Sequence, residues 1–155
     1  MPSPTRQSSI DDFLAQRTLA VAGVSLSGKG FGNVVLKDLS AKGYTMLPVH
    51  PQAAEVGGVR AYHSLADLPD AVGGVVLVVP PAQTELLVRE AKETGIERVW
   101  MQQGAESDDA IRFCENNGIE AIHGECIMMF AQPSGVHRLH HWLRGIFGRL
   151  PPADD

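Results

Sequence analysis

The chain has 155 residues, of which 44% are hydrophobic and 20% are charged, as expected for one globular domain with a full core. A formal net charge of −5 argues against a broad nucleic-acid-binding surface. No apolar stretch approaches the roughly 20 residues of a membrane span, and the N-terminal residues contain no apolar signal core. We therefore expect a cytoplasmic protein that binds neither nucleic acid nor membrane.

Short apolar strands alternate with helices along the chain. A helix capped by Ser8 or Ser9 is predicted to run to Gln16, and a buried strand begins at Leu19. Further strands are predicted at 44–49, 59–62, 74–79, 98–101 and 120–123. Further helices are predicted at 33–42, 82–94 and 107–117, with a capped turn at 64–68. This alternation is typical of right-handed βαβ units, so the predicted fold is an α/β domain with a doubly wound parallel sheet.

Helical spacing also predicts which apolar side chains face the core. The expected inward residues are Val34, Val35 and Leu39 in one helix and Leu86, Leu87 and Ala91 in another.

Residues 19–33, LAVAGVSLSGKGFGN, predict a strand, a glycine-rich turn and a helix that begins near Gly32 or Asn33. The start of that helix would point unpaired backbone N–H groups and the positive end of its dipole into the turn. Lys29 adds a positive charge and Ser25 adds a hydroxyl, a combination that suits a phosphate or pyrophosphate. The alternative is a glycine-rich connection with an exposed lysine.

Neither of two familiar phosphate motifs matches this turn. The stretch 23–30 is close to a Walker A loop, but Gly30 replaces the Ser or Thr that would hold magnesium. The spacing of the glycines also differs from the dinucleotide fingerprint G-x-G-x-x-G. The second strand ends in His50-Pro51 and not in the acid that would bind an NAD ribose. A nucleotide hydrolase is therefore disfavoured, and NAD is a second choice.

Ligands of such sheets bind beyond the carboxyl ends of the strands. By this prediction, neither two carboxylates nor a Ser–His–Asp set converge there, and the one conceivable pair is His50 with Cys126. The two cysteines, Cys114 and Cys126, lack metal-ligand spacing and are interpreted as buried structural thiols. We therefore expect a binding site without catalytic or metal-ligating residues.

Several motifs together resemble the stand-alone CoA-binding domain proteins, which are related to the CoA-binding domain of the succinyl-CoA synthetase α subunit. The resemblance covers about 10–129, in the same order along the chain. The matching stretches are AVAGVS at 20–25 with Lys29 and Asn33, LPVHP at 47–51, VRAY at 59–62, SLADLP at 64–69, VVPP at 78–81, VWMQQG at 99–104 and GECIM at 124–128.

The resemblance implies a Rossmann-like, three-layer α/β/α domain over residues 1–132 that binds coenzyme A or an acyl-CoA. It places the loop that carries Ser25 and Lys29 near the phosphates, with the His50-Pro51 and Val79-Pro80 loops beside the adenosine. His50 departs from the Asn that such relatives commonly have. The chain matches neither the phosphohistidine domain nor the partner subunit of the ligases, so no ligase activity is expected. The implied ligand-binding residues are Gly23, Val24, Ser25, Lys29, Gly32, Asn33, His50, Pro51, Val79, Pro80 and Gln103.

The remaining residues, 133–155, are predicted to contain an amphipathic helix over 134–150. It would dock on the edge of the sheet or on a second copy of the chain, giving a homodimer. A membrane-surface role is a weaker alternative. His137, His140 and His141 suggest a metal site, but no nearby acid completes a ligand set, so ordinary histidines on a docking helix are favoured.

Three functional hypotheses follow. The leading one is a CoA-binding protein without catalysis of its own. The second is an NAD(P)- or flavin-dependent oxidoreductase that uses the same cleft, and the third is a regulatory protein that acts through its C-terminal helix.

Overall fold

The structure is a computed structural model that describes residues 5–131. In chain order its elements are α1 (Gln7–Ala15), β1 (Thr18–Ala22), α2 (Phe31–Ala41), β2 (Thr45–Val49), β3 (Glu55–Val56), β4 (Val59–Arg60), β5 (Gly74–Leu77), α3 (Pro81–Thr94), β6 (Arg98–Met101), α4 (Asp108–Asn116) and β7 (Glu120–Ile122). Two short 3-10 turns, Leu65–Asp67 and Ile127–Met129, complete this part of the chain.

Five strands form one parallel sheet in the order β2-β1-β5-β6-β7. The predicted doubly wound parallel sheet is therefore confirmed. The chain passes from β1 to β2 on one side of β1, and then returns to place β5 on the other side. This reversal puts the topological switch point between β1 and β5, where the carboxyl ends of neighbouring strands diverge into a crevice.

Successive side chains of the buried strands point to opposite faces of the sheet, and helices pack on both faces. The sheet and the two sets of helices make three layers. Leu19 and Val21 of β1 belong to the core with α1 and α2, whereas Ala20 and Ala22 belong to the core with α3 and α4. Trp100 is fully buried on the first face and donates from Nε1 to the backbone oxygen of Glu125 at 3.0 Å. The first core is therefore tied to the loop that follows β7.

Several helix boundaries differ from their predicted positions. α1 begins at Gln7 after Arg6, without the predicted serine cap. α2 begins at Phe31, because Gly30 with a φ of +124° ends the preceding turn and forms its N-cap. Pro81 forms the first turn of α3, where its missing N–H costs no hydrogen bond. α4 begins at Asp108, one residue after its predicted start, because Ser107 is its N-cap and accepts through its hydroxyl from the N–H of Ala110 at 3.0 Å.

Two side chains that were expected to face the core are exposed. Val34 is 49% exposed on α2, where Val35, Leu36 and Leu39 occupy the buried face. Leu86 is 67% exposed on α3. Both predictions were wrong, because several consecutive apolar residues compete for one buried helix face and spacing alone does not choose among them.

The predicted strand at 59–62 is divided into two pieces. Its first part forms an antiparallel hairpin, β3 with β4, across the Gly57-Gly58 turn. Tyr62 then lies parallel to the end of β2, where its N–H donates to Pro48 at 2.9 Å and its oxygen accepts from the N–H of His50 at 2.8 Å. This segment covers the outer edge of β2 at its carboxyl end.

None of the helices in residues 5–131 is both long enough and apolar enough to span a membrane. The same residues contain no group of three or more His, Cys, Asp or Glu side chains that could hold a metal ion. The predicted helix over 134–150, its histidines and the boundary after residue 132 lie outside the described residues, and they remain predictions.

Candidate functional site

A cleft of about 420 Å³ opens at the switch point, above the carboxyl ends of β1, β2 and β5. We call it the switch-point cleft. One wall is the start of α3 and another is the turn that follows β2. Its lining residues are Ala22, Gly23, Val24, Val49, His50, Pro51, His63, Val79, Gln83, Leu86, Leu87 and Glu90. Apolar walls with a few polar groups are typical of small-molecule sites.

Residues 23–30, which we call the glycine loop, lead from the cleft to the start of α2. Gly23 has a φ of +102°, and a Cβ atom placed there would lie 1.9 Å from the backbone oxygen of Val78. A Cβ atom at Gly32 would lie 2.4 Å from the backbone oxygen of Gly23. These two glycines therefore let the loop, the start of α2 and the end of β5 come within van der Waals distance of one another.

The side chain of Asn33 closes the glycine loop. Its Oδ1 accepts from the N–H of Ser25 at 2.8 Å, and its Nδ2 donates to the oxygen of Ser25 at 2.9 Å. The hydroxyl of Ser25 donates to the backbone oxygen of Lys29, so the loop is also bonded across its own base. Both the oxygen and the nitrogen of the Asn33 side chain are therefore hydrogen-bonded to the backbone of this loop.

The N-terminus of α2 opens beside the glycine loop. Gly30 provides no side-chain cap, and the helix has no acidic residue in its first turn. The first intrahelical bond runs from the N–H of Val34 to the oxygen of Gly30, at 3.2 Å. The N–H groups that precede Val34 therefore have no intrahelical acceptor, and they carry the positive end of the helix dipole.

Lys29 lies on the exposed part of the glycine loop. Its ammonium group forms no hydrogen bond or ion pair with any described residue. A free cation close to an uncapped helix N-terminus gives this corner of the molecule a local positive character, although the chain is acidic overall.

A second pocket, of about 300 Å³, lies along the carboxyl ends of β5 and β6. It is lined by Val78, Val79, Pro80, Gln102, Gln103, Gly104 and Ala105. Val79 belongs to both pockets, so the two are neighbours along the same edge of the sheet. Gln103 is exposed and donates from Nε2 to the oxygen of Gly124 at 3.3 Å.

Gln102 is buried beneath this second pocket and joins two loops. Its Oε1 accepts from the N–H of Ile127 at 2.7 Å, and its Nε2 lies 3.3 Å from the sulfur of Cys126. We call this arrangement the glutamine clamp. Gln102 is 2% exposed, so its amide groups are satisfied entirely within the protein.

The structure separates the members of the one conceivable catalytic pair. His50 follows β2 and Cys126 follows β7, which are the two opposite edge strands of the sheet. Nδ1 of His50 accepts from backbone N–H groups. The other thiol, Cys114, is fully buried, and burial, with a smaller contribution from Glu115, raises its pKa to about 12.

The eleven predicted ligand-binding residues lie along one edge of the sheet in three groups. Gly23, Val24, His50, Pro51 and Val79 line the switch-point cleft, and Val79, Pro80 and Gln103 line the second pocket. Ser25, Lys29, Gly32 and Asn33 belong to the glycine loop and the start of α2.

Sequence reasoning missed the part of the cleft wall that α3 supplies. Gln83, Leu86, Leu87 and Glu90 all line the cleft. Their spacing of three, four and seven residues places them on one helix face. From the sequence, Leu86 and Leu87 were assigned to a core-facing stripe with Ala91, and Gln83 and Glu90 were not singled out. His63 joins the cleft only because Tyr62 is held against the end of β2.

The fold and the site define a class: a Rossmann-like α/β domain with a ligand cleft at the carboxyl edge of its sheet. The family model for the CoA binding domain matches residues 17–132. The chain belongs to this family.

Individual relatives agree with this assignment. The chain is 42% identical to a solved conserved hypothetical protein from Pyrococcus furiosus, with a TM-score of 0.70 over 72% of this chain and 97% of that one. It is 26% identical over 127 residues to the uncharacterized protein YneT from Bacillus subtilis, covering 82% of this chain and 94% of that one.

A third relative is a larger protein. The chain is 34% identical over 91 residues to acetate–CoA ligase (ADP-forming) II subunit alpha from Pyrococcus furiosus. This match covers 58% of the chain and 20% of the ligase subunit, so the chain spans about a fifth of that relative's length.

Proposed function

We propose that this protein binds coenzyme A, free or acylated, along the carboxyl edge of its sheet. The observation that carries the proposal is the uncapped N-terminus of α2, which opens beside an exposed lysine and next to a cleft at the switch point. Membership in the CoA-binding domain family supports the same ligand.

The pyrophosphate is assigned to the glycine loop and the start of α2. The unpaired N–H groups of the first turn suit phosphate oxygens, and the helix dipole favours their negative charge. Lys29 adds a full positive charge that is free to reach the ligand. Ser25 and Asn33 support this role indirectly, because their mutual hydrogen bonds hold the loop in shape before any ligand arrives.

The adenosine is assigned to the switch-point cleft. The volume of about 420 Å³ lies within the range of ordinary small-molecule sites. Val79 and Leu87 give an apolar wall for the base, and Pro51 lies at the turn after β2. This assignment also explains why Leu86 is exposed. Its side chain lies on the cleft wall and would lose contact with water when a base occupies the site.

The pantetheine arm is assigned to the second pocket. This pocket adjoins the cleft through Val79, and Pro80 and Gln103 are among its lining residues. A flexible arm with amide groups suits a shallow, open groove of this kind more than an enclosed cavity. The thiol or acyl end would then lie toward the loops that follow β6 and β7.

We propose binding without chemistry at this site. Synthetase or ligase activity of the whole relatives is not transferred to a chain that matches a fifth of such a subunit. An NAD-dependent oxidoreductase is less well supported, because β2 ends at Val49 and is followed by His50 instead of the acid that would bind the adenosine ribose of NAD.

Calorimetric titration tests this proposal. The purified protein is titrated under reducing conditions with CoA, acetyl-CoA, NAD and ATP in parallel. Saturable binding of CoA or acetyl-CoA, with no binding of NAD, is the expected result. Binding of NAD in preference to CoA would contradict the proposal and favour the oxidoreductase hypothesis. Binding of none of the four ligands would also contradict the proposal.

A further inference from the structure

Three hydrogen bonds hold His50 in place. Its backbone N–H donates to the oxygen of Tyr62 at 2.8 Å. Its ring nitrogen Nδ1 accepts from the N–H of Gln52 and from the N–H of Ala53, both at 3.1 Å. The ring therefore caps the turn that follows β2, in the way that an Asn or Asp side chain caps an Asx-turn.

These contacts fix the position of the proton on the ring. A nitrogen that accepts hydrogen bonds does not carry hydrogen, so the neutral imidazole has its proton on Nε2. The half-buried ring of His50 lines the switch-point cleft. Its Nε2–H has no acceptor among the described residues, and it is therefore a hydrogen-bond donor available to a ligand.

The turn uses only one of the two nitrogens of this ring. In Asn, the Oδ1 atom is attached to Cγ, as Nδ1 is in histidine, so an asparagine at position 50 keeps an acceptor for the same two N–H groups. An asparagine lacks the more distant donor that the imidazole places at Nε2. The turn thus needs only the near atom of the side chain, and the far atom is left for the ligand.

The other polar side chains of the cleft are engaged or exposed. Glu90 accepts through Oε1 from the N–H of Leu65, which directs this carboxylate toward the chain. His63 and Gln83 are exposed to water. A donor from a half-buried, fixed ring beside apolar side chains discriminates among ligands better than one that competes with bulk water.

We propose that His50 is a specificity-determining residue for the nucleoside half of the ligand. Nδ1 positions the turn at 51–53, and Nε2–H donates to an acceptor atom on the purine or ribose. The proposal rests on the assignment of adenosine to the switch-point cleft. One side chain would therefore hold the turn through Nδ1 and contact the ligand through Nε2–H.

Two variants separate these roles: His50→Asn retains the acceptor that caps the turn and removes the distant donor at the Nε2 position, since its own Nδ2 lies nearer the backbone, whereas His50→Ala removes both. We expect His50→Asn to unfold at the wild-type urea concentration and to weaken CoA binding by about threefold to tenfold, the range for one neutral hydrogen bond. 4′-Phosphopantetheine lacks the nucleoside, and its affinity should be unchanged. His50→Ala should lose the same affinity for CoA and also unfold at lower urea.

His63→Asn is the matched control, because it makes the same change on an exposed ring of the same cleft. Its loss of affinity for CoA should be smaller than that of His50→Asn, because a donor that is exposed to water adds less to binding. In the ligand-free protein, a ¹H–¹⁵N correlation of the imidazole nitrogens should show the His50 proton on Nε2.

Three results would overturn the proposal. One is a His50→Asn variant that binds CoA as tightly as wild type, and another is an equal loss of affinity for 4′-phosphopantetheine. The third is a proton on Nδ1 of the ligand-free ring. If wild type binds no CoA at all, the proposed function fails and the donor role fails with it, whereas the ring spectrum and the unfolding of His50→Ala still measure the cap separately.

Discussion

Two loops at the carboxyl edge of the sheet are each closed by one amide side chain. Asn33 bonds both the N–H and the oxygen of Ser25, at 2.8 and 2.9 Å. Gln102 bonds the N–H of Ile127 at 2.7 Å and reaches the sulfur of Cys126 at 3.3 Å. Both side chains are carboxamides, but Gln102 is 2% exposed, whereas Asn33 is half-buried at the start of α2, beside a loop whose far side faces water.

This difference separates a loop whose polar groups are paired inside the protein from a loop that we propose binds phosphate. The glutamine clamp satisfies its own polar groups and those of its neighbours inside the protein. The glycine loop is held in shape by Asn33, yet within residues 5–131 neither the Lys29 ammonium nor the first N–H groups of α2 have a partner. A fixed loop with unpaired donors is preorganised, so ligand binding loses less conformational entropy there.

The largest expected effect comes from the close approaches that shape the glycine loop. Gly23→Ala should lower the free energy of unfolding by about 3 kcal/mol or more, because its Cβ would overlap the oxygen of Val78 at a positive φ. The matched control is Gly28→Ala, with a φ of +77° but open space around it, which should cost about 1 kcal/mol. Urea unfolding measures both. Equal losses would show that the positive φ of these glycines, and not the close approach of Gly23 to Val78, causes the loss of stability.

The glutamine clamp gives the second largest effect. Gln102→Ala leaves the N–H of Ile127 without its buried acceptor, and we expect a loss of about 2 kcal/mol in the free energy of unfolding. Gln103→Ala changes an exposed neighbour of the same type and should stay within about 0.5 kcal/mol of wild type. If both variants unfold alike, the clamp does not stabilise the fold.

The charge on the glycine loop should affect binding and not stability. Lys29→Ala is expected to weaken CoA binding about fivefold at low salt, and this difference should shrink as salt screens the exposed charge. Lys37→Ala removes an exposed lysine from the middle of α2, and should change the affinity less than about twofold. Calorimetry at two salt concentrations measures both. The same loss in both variants would indicate a general effect of net charge.

The smallest effect concerns the two thiols, and it leaves the fold unchanged. Cys126 is half-buried and not buried as the sequence indicated, so at pH 8 the native chain should react with a thiol reagent at Cys126 and not at Cys114. Burial raises the pKa of Cys114 to about 12, so the fraction present as the reactive thiolate is negligible, and this side chain is fully buried. Peptide mass mapping after labelling identifies the modified residue. Labelling of Cys114 at the faster rate would contradict the buried core on the α4 side of the sheet.

The sheet was predictable because each strand is a short apolar run between turn residues. β6 was placed at the same bounds, 98–101, that the structure shows. The hairpin of β3 with β4 was only half recognised, because Glu55-Val56 is too short to carry a pattern. The exposure of Leu86 was missed because a stripe of apolar residues on a helix indicates a core or a ligand cleft equally well.

The loops of the candidate site and their proposed ligand groups were predicted from the sequence, but the hydrogen bonds that shape these loops were not. The glycine-rich turn was recognised from its residue types, whereas the bonds of Asn33 to Ser25 depend on the path of the loop. His63 and Glu90 lie 27 residues apart in sequence, and they meet only through tertiary packing. Gln102 and Gln103 are identical neighbours, and only the structure shows that the first is the buried one.

Backbone amide NMR during a CoA titration tests the central claim most directly. We expect the largest chemical-shift changes in the glycine loop and the first turn of α2, over residues 28–34, with a second group at 50–53. The buried N–H of Ile127, already bonded to Gln102, should change little. Changes concentrated away from the carboxyl edge, for example at Thr5 and Ser9 beside β7, with residues 28–34 unaffected, would contradict the claim that the helix N-terminus holds the phosphates.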